Sequence, residues 1–427
     1  MTTTEIQQQI DAAHAAGGGE VVLPAGTHRL DAALRLKPRV TLRGEGASTR
    51  LATQDKETNF IELHPGGDAT AHDITIRALH LQGPDAGDDI TVGVASDFDR
   101  GCGVIARKAP AHIRIADVTI AEASGCGLLF LDRSADGVGR HIRIARCRIR
   151  QGRRPADAVA FSNYKDIYFF GAFFEDIEVV DTTCTFEPNA VSVFGNDSGI
   201  AFVMNGHEGA VRRAVLKGNV CSGHARHGIV TNYGKLVAFD VKARGNTCRD
   251  NRWVGLYVNT SIEQGENVVI EENVCEHNGY GGTSDPNAPD KTIRGGIVLA
   301  GCYNARISNN QCRHNGRPSP PFAGADATAQ FAAGIRVRGR NLVLVGNKAE
   351  HNVGRGIEPW PEPFENVEIR NGGAGDGEEG DVSVRTTETP PPIGTPPPME
   401  PPSPPDPPPK RKKKKSLFKR LFGWLFG

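Results

Sequence analysis

The sequence predicts an all-β fold, a single-stranded right-handed parallel β-helix, and three observations support this prediction. Asn-x-Cys units recur at coil length, short Gly-apolar-x-apolar strands accompany them, and aromatic residues make up only 6% of a chain with 51 glycines. Strands this short cannot bury a face alone, so they stack as a solenoid. We expect a capping helix at 1–19, the β-helix at 20–385, a disordered Pro-rich linker at 386–409 and a basic amphipathic helix at 410–427.

The first segment reads as an amphipathic helix, with Ile6 and Ile10 on its apolar side and the stop Gly17-Gly18-Gly19 after it. Such a helix covers the open end of a solenoid. The segment has neither the charged start nor the apolar core of a secretory signal, and the chain has no run of eighteen apolar residues. We therefore expect a cytoplasmic protein whose nine cysteines are thiols.

The repeat units of the body each begin with asparagine and follow one another after 27, 27, 37 and 37 residues. Stacked coils lie about 4.8 Å apart, so like residues form ladders along the axis. Asparagine suits the turns because it tolerates a left-handed backbone, and small cysteines suit the interior. We expect nine or ten coils. The units are Asn219-Val220-Cys221, Asn246-Thr247-Cys248, Asn273-Val274-Cys275, Asn310-Gln311-Cys312 and Asn347-Lys348-Ala349, and the strands begin at Gly228, Gly255, Gly296, Gly334 and Gly356.

Metal chemistry has weak support in the sequence. The cysteine series contains no Cys-x-x-Cys, so inward packing explains its spacing better than a metal site. We predict no cofactor. Calcium stays open because one loop contains several aspartates close together in sequence, and clustered carboxylates are the usual ligands of calcium. These aspartates are Asp85, Asp88, Asp89, Asp97 and Asp99.

The opening of the body contains the segments Val21-Val22-Leu23-Pro24-Ala25-Gly26 and Val40-Thr41-Leu42-Arg43-Gly44-Glu45-Gly46. In these segments it resembles the pectate-lyase-like β-helix superfamily. The superfamily includes lyases, hydrolases, epimerases and phage tailspikes. The resemblance therefore implies the fold and a carbohydrate-active or carbohydrate-binding role, but no single reaction.

A partial resemblance to mannuronan C5-epimerases rests on Ser124-Gly125-Cys126-Gly127 and on the segment from His224 to Ile229. It implies a catalytic pair of Arg226 and His227, with Asp157 near a family aspartate. Proton abstraction beside a uronate carboxylate needs a base, an acid and a cation. However, residues 126–131 stand in place of the family's Tyr-Gly-Phe-Asp-Pro-His. Whether the chain is an enzyme therefore stays open, with lyase, epimerase and hydrolase as the candidate activities. The alternative for Arg226 and His227 is a turn ladder or a residual sugar contact.

Further substrate contacts are predicted from polar motifs and scarce aromatics. Asp197 and His207 lie in segments similar to polygalacturonase motifs, and Tyr233, Trp253 and Tyr257 are aromatic residues near expected loops. Two Pro/Gly/Asp-rich excursions, residues 280–292 and 316–330, are expected to build the binding face. Removing the eight basic residues of 410–427 leaves 42 basic against 50 acidic side chains, so we expect no nucleic acid partner. The family resemblance implies a glycan as the partner.

The tail predicts a stalk and an anchor. Thirteen of the twenty residues from Pro390 to Pro409 are proline, which gives an extended spacer. The last segment combines a basic run with an aromatic-rich face too short to span a bilayer, so we expect peripheral binding to an anionic inner membrane face. A docking peptide for a protein groove or shell is the alternative. The expected membrane contacts are Lys412, Lys413, Lys414, Lys415, Phe418, Phe422, Trp424 and Phe426.

These observations combine into one functional hypothesis and its alternatives. We expect a β-helix that binds or acts on a uronate-type polysaccharide and is tethered peripherally to a membrane. The alternatives are a non-catalytic scaffold, a tailspike-like phage protein, or a cargo protein with a C-terminal targeting peptide. The sequence makes no prediction of the glycan, the reaction or the oligomeric state.

Overall fold

A computed structural model of the chain describes residues 1–68, 70–84, 99–132, 137–151, 165–171, 173–186, 198–203, 209–231, 236–259, 265–280, 294–317, 319, 332–354, 356–359 and 365–370. In these residues one helix is followed by 33 strands of a single sheet, and the pairings between successive coils are all parallel. The predicted right-handed parallel β-helix is confirmed. The predicted linker and C-terminal helix, residues 386–427, lie outside the described residues.

The helix spans Thr3–Ala15 and closes the N-terminal end of the solenoid. Thr2 caps it by accepting from the N–H of Glu5, whose side chain accepts in turn from the N–H of Thr2. Ile6 and Ile10 are wholly buried against the first coils. In the described part of the chain, no helix is both long enough and apolar enough to cross a membrane.

The strands stack in three columns, here called A, B and C in the order in which each coil visits them. Column A contains Leu34–Leu36, Ile61–Leu63, Val104–Arg107, Leu128–Leu131, Lys165–Phe170, Ser198–Val203, His227–Thr231, Val254–Asn259 and Ile357–Pro359. Column B contains Gly19–Val22, Val40–Arg43, Val138–Ala145, Phe173–Val180, Gly209–Lys217, Leu236–Phe239, Lys242–Arg244, Gly265–Glu266, Val269–Glu271, Arg306–Ser308 and Glu365–Arg370. Column C contains Gly26–Arg29, Thr49–Ala52, Arg148–Gln151, Thr183–Phe186, Val220–Ser222, Thr247–Arg249, Val274–Glu276, Gln311–Arg313 and Lys348–Glu350.

Four longer strands turn a corner and so belong to two columns. His72–Gln82 and Ala111–Ala121 run from B into C, whereas Gly295–Tyr303 and Ala333–Val345 run from A into B. With the last two, column A has eleven strands among the described residues, so the prediction of nine or ten coils was too low. The coils before residue 104 contain no Asn-x-Cys unit, and the pattern therefore could not be followed to the N-terminus.

The corners repeat a left-handed residue at the same place in each coil. At the bend within column B, nine residues have φ between 52° and 57°. Six of the nine are aspartate or asparagine, which adopt this conformation more readily than most residues. The nine residues are Asp73, His112, His141, Asp176, Arg213, Asp240, Asn267, Asn304 and Asn341. The prediction of a left-handed backbone was wrong for the repeated asparagines such as Asn219 and Asn246, because the residue before each of them has the positive φ instead.

The interior is filled by ladders of like residues. Five cysteine side chains follow one another in register and are completely buried, which confirms their predicted inward packing. Two amide ladders run beside them, and each asparagine amide donates to the Oδ1 of the next coil. The cysteines are Cys184, Cys221, Cys248, Cys275 and Cys312, and the ladders are Asn219–Asn246–Asn273–Asn310–Asn347 and His224–Asn251–Asn278–Asn315–Asn352.

Candidate functional site

The outward-facing side chains of column A form a second buried apolar cluster, separate from the core inside the solenoid. We call this surface the outer A face. Its members come from successive coils and lie in register, so strand pairing alone brings residues far apart in sequence into one row. The row is Ile105, Leu129, Tyr168, Ala201, Val230, Tyr257 and Val298.

Beside this apolar row lie three polar residues from consecutive coils, here called the polar row. Lys165 pairs in register with Ser198, and Ser198 pairs with His227. Their exposed fractions are 1%, 0% and 1%. The Ser198 hydroxyl has no hydrogen-bond partner in the described part of the chain. Burying such a group unpaired costs about 1–3 kcal/mol, so the position is suited to a ligand atom.

His227 is the centre of this arrangement. Its imidazole meets the ring of Trp253 edge-on at 5.6 Å between centroids and the ring of Tyr257 at 5.3 Å. Burial lowers the pKa of His227 well below its ordinary value, and the positive charges of Arg226, Arg294 and Lys165 lower this pKa further. The side chain is therefore neutral at neutral pH and is able to accept a proton.

Arg226, Trp253 and Arg294 form a stack one residue before the polar-row position. The two guanidinium carbons lie 4.5 Å and 4.4 Å from the Trp253 ring centroid. Since the three residues come from successive coils, the arginines cover opposite faces of the indole. A sugar ring at this place therefore meets the indole edge or the guanidinium groups. Trp253 as a stacking platform stays a prediction.

A buried carboxyl–imidazole pair lies inside the solenoid, behind the polar row. Asp166 occupies the position at which the following coils have glycine, and its Oδ2 lies 3.0 Å from Nε2 of His224. Nδ1 of His224 lies 2.9 Å from Oδ1 of Asn251. Both members of the pair are completely buried. Sequence reasoning treated His224 only as a turn residue and missed Asp166.

The structure brings four predicted site residues together, namely Arg226, His227, Trp253 and Tyr257. The other predicted contacts Asp157, Asp197, His207 and Tyr233, and all the predicted membrane contacts, lie outside the described residues. Sequence reasoning also missed Lys165, Ser198 and Arg294. One signal in the sequence could have identified Asp166. The Gly-Ile pair that begins the repeated strands is replaced, towards the N-terminus, by Asp166-Ile167, so a carboxylate stands in a buried row of glycines.

No metal site was found in the residues that the structure describes, where no three His, Cys, Asp or Glu side chains are placed to share an ion. Of the aspartates considered for calcium, Asp99 is described, and it pairs with Arg107 at 3.4 Å. His277, His314 and His351 stack with nearly parallel rings at 5.2 Å and 5.1 Å. Calcium binding stays a prediction that rests on residues outside the described part.

A concavity of about 590 Å³ lies on the outside of column B. Its lining includes the stacked rings of His112 and His141, whose centroids are 4.6 Å apart. Several of its charges are balanced within the lining, because Arg213 pairs with Asp176 at 2.6 Å. Its net charge favours no ligand class, whereas the outer A face joins a buried base to several cations. We therefore place the candidate site on the outer A face.

Comparisons with known proteins agree with this fold. The family model described as "Right handed beta helix region" matches residues 101–372. A mutant tailspike protein of E. coli bacteriophage HK620 in complex with a pentasaccharide has a TM-score of 0.54 at 14% identity, covering 87% of this chain and 63% of that chain. The A-module of the mannuronan C-5 epimerase AlgE6 of Azotobacter vinelandii has 19% identity, coverages of 87% and 95%, and a TM-score of 0.45. A search of curated proteins found no match.

Proposed function

We propose, from the premise that this chain belongs to the family of right-handed β-helix regions, that it binds and acts on an anionic, uronate-type polysaccharide along its outer A face. One observation carries the proposal: the imidazole of His227 is buried on this face beside three cations, Arg226, Arg294 and Lys165. The likeness to solved structures at these identities supports the fold, so the proposal rests on the chemistry of the site.

The proposed chemistry begins with the proton on the ring carbon beside a uronate carboxylate. Neutral His227 takes this proton, and the cations Arg226, Arg294 and Lys165 stabilise the negative charge that spreads onto the carboxylate. Return of a proton from water to the opposite face inverts the centre, and His227 then releases the proton that it took to solvent. In the alternative outcome the bond to the neighbouring glycosidic oxygen breaks, this oxygen takes the proton from His227, and the chain is left with a double bond. Tyr257 and the edge of Trp253 contact the sugar rings.

The test compares wild type with His227→Ala on several uronate polymers. Ultraviolet absorbance reports double bonds at new chain ends, and proton NMR of the polymer reports inversion. His314→Ala, in the exposed histidine stack, is the matched control, and a neutral glucan is the control substrate. We expect turnover by wild type and by the control variant only, and equal rates for wild type and His227→Ala would remove the assignment.

We propose further that residues 410–427 hold the protein peripherally at the inner face of the cytoplasmic membrane. This rests on sequence alone: eight of these eighteen residues are basic and lie beside an aromatic-rich face. Flotation of the full chain and of a chain ending at residue 409 with anionic and neutral liposomes tests it. Flotation only of the full chain, only with anionic vesicles, supports the anchor, whereas no flotation favours docking to a protein partner.

A further inference from the structure

The Asp166–His224 pair bridges two coils that do not touch through backbone hydrogen bonds. Asp166 belongs to the strand Lys165–Phe170, and His224 lies three residues before the strand His227–Thr231. Each of these strands pairs with Ser198–Val203, which lies between them. The pair therefore spans an intervening coil inside the solenoid. It links the coil that carries Lys165 to the coil that carries His227, the two ends of the polar row.

The hydrogen bonds of His224 show that a proton links it to Asp166. Asn251 donates its own amide to the carbonyl of Cys221 and to Asn278, so its Oδ1 can only accept. Nδ1 of His224 therefore carries a proton, like the amide nitrogen of an asparagine in the same ladder. Nε2 then meets the carboxyl group of Asp166 at 3.0 Å, and one more proton lies between the two groups. This hydrogen bond joins the two side chains whichever of them holds the proton.

The contact between Asp166 and His224 requires a position without a side chain in the coil between them. Gly199 provides this position, because a Cβ there would lie 3.0 Å from Cε1 of His224 and 2.6 Å from the carbonyl oxygen of Gly228. The next coils carry glycine at the position of Asp166 and asparagine at the position of His224, and they close their ladders without such a pair. The pair is thus confined to the coils that carry the polar row.

We infer that Asp166 and His224 are positioning residues, whose buried pair fixes the placement of Lys165 relative to His227. The pair is a direct contact between two segments whose strands each pair with Ser198–Val203 and, in the described part of the chain, not with each other. A misplacement of about 1 Å at a reacting group can cost roughly 100-fold in rate. The inference rests on the proposed function in one respect, namely that the polar row is the reacting row.

The variant Asp166→Gly/His224→Asn tests the inference, because it gives these coils the residues of the regular ladder. We expect it to fold, with the circular dichroism of wild type, while its kcat on the uronate polymer falls roughly 100-fold and its KM changes little. The titration of His227, followed by NMR with labelled histidine, should move towards the ordinary histidine range as Lys165 shifts. His314→Asn is the matched control and should change none of these values.

The single variants separate placement from stability. His224→Asn leaves the Asp166 carboxyl group buried without its partner at Nε2, so its melting temperature should fall below that of the double variant. If the double variant does not fold, Asp166→Asn takes its place, because it keeps the shape of the carboxylate. This variant should also shift the pKa of His227. A wild-type kcat together with an unchanged His227 titration, in either Asp166 variant, overturns the inference. If wild type turns over no uronate polymer, the proposed function fails while the His227 titration still decides the placement.

Discussion

The side-chain amide of Asn246 donates to Oδ1 of Asn273 at 2.9 Å, one coil further along the axis, and its second hydrogen goes to the carbonyl of Leu216 at 2.8 Å. Oδ1 of Asn246 accepts from both the backbone and the side chain of Asn219. All the polar atoms of the completely buried Asn246 side chain therefore have hydrogen-bond partners. This arrangement joins three coils through one residue.

The ladder predicts a large loss of stability for Asn246→Ala. The substitution leaves buried donors and a carbonyl unpaired, and each such group costs about 1–3 kcal/mol, so we expect the free energy of unfolding to fall by about 3 kcal/mol. Urea unfolding of wild type and variant measures it. Lys242→Ala, on the exposed side of the same coil, should change the value by less than about 0.5 kcal/mol. A similar small change for Asn246→Ala would contradict the ladder.

The pH dependence of turnover reports on His227 as the base. Because burial and the cations Arg226, Arg294 and Lys165 lower its pKa, the neutral form persists below pH 6.5, the ordinary value. We therefore expect kcat/KM to fall on the acid side only below pH 6.5. Initial rates across the pH range, with salt held constant, measure this limb. A limb centred above pH 6.5 would assign it to another group.

The same shift makes a prediction about stability. The unfolded chain protonates His227 near pH 6.5, whereas the folded protein keeps it neutral to a lower pH. Between these two pKa values the unfolded state binds more protons, so stability falls as pH falls, by up to about 1.4 kcal/mol per pH unit for this group. Urea unfolding at several pH values below 6.5 should show a shallower decline for His227→Gln than for wild type.

The thiols should be inert in the folded protein. All nine cysteines are free and buried, and burial raises the pKa of Cys147 to about 11 and raises that of Cys184. Thiolate is the reactive form, so a thiol-specific chromogenic reagent at pH 8 should react with none of them in native protein. In denaturant it should react with all nine. Fast reaction of one native thiol would place that cysteine at the surface.

Much of the solenoid could be predicted from local chemistry. The asparagine and cysteine ladders follow from their spacing, because stacked coils put equal positions above one another. The position of His227 beside Tyr257 could be predicted in part, because both residues lie in repeats that the sequence shows. Cys147 shows that a cysteine at similar spacing need not join the row: its backbone N–H donates to Thr182, and Ile149 is the residue that pairs with Cys184.

The sequence by itself determined the fold class, the inward cysteines, the amide ladders and the presence of Arg226 and His227 near one turn, because each of these depends on residues repeated at coil length. Only the tertiary structure decided that Lys165, Ser198 and Arg294 join His227, and that Asp166 meets His224 across Gly199. These partners come from coils of unequal length with no repeated signature. Their register is set by strand pairing over the whole stack, and no short segment of the sequence carries that information.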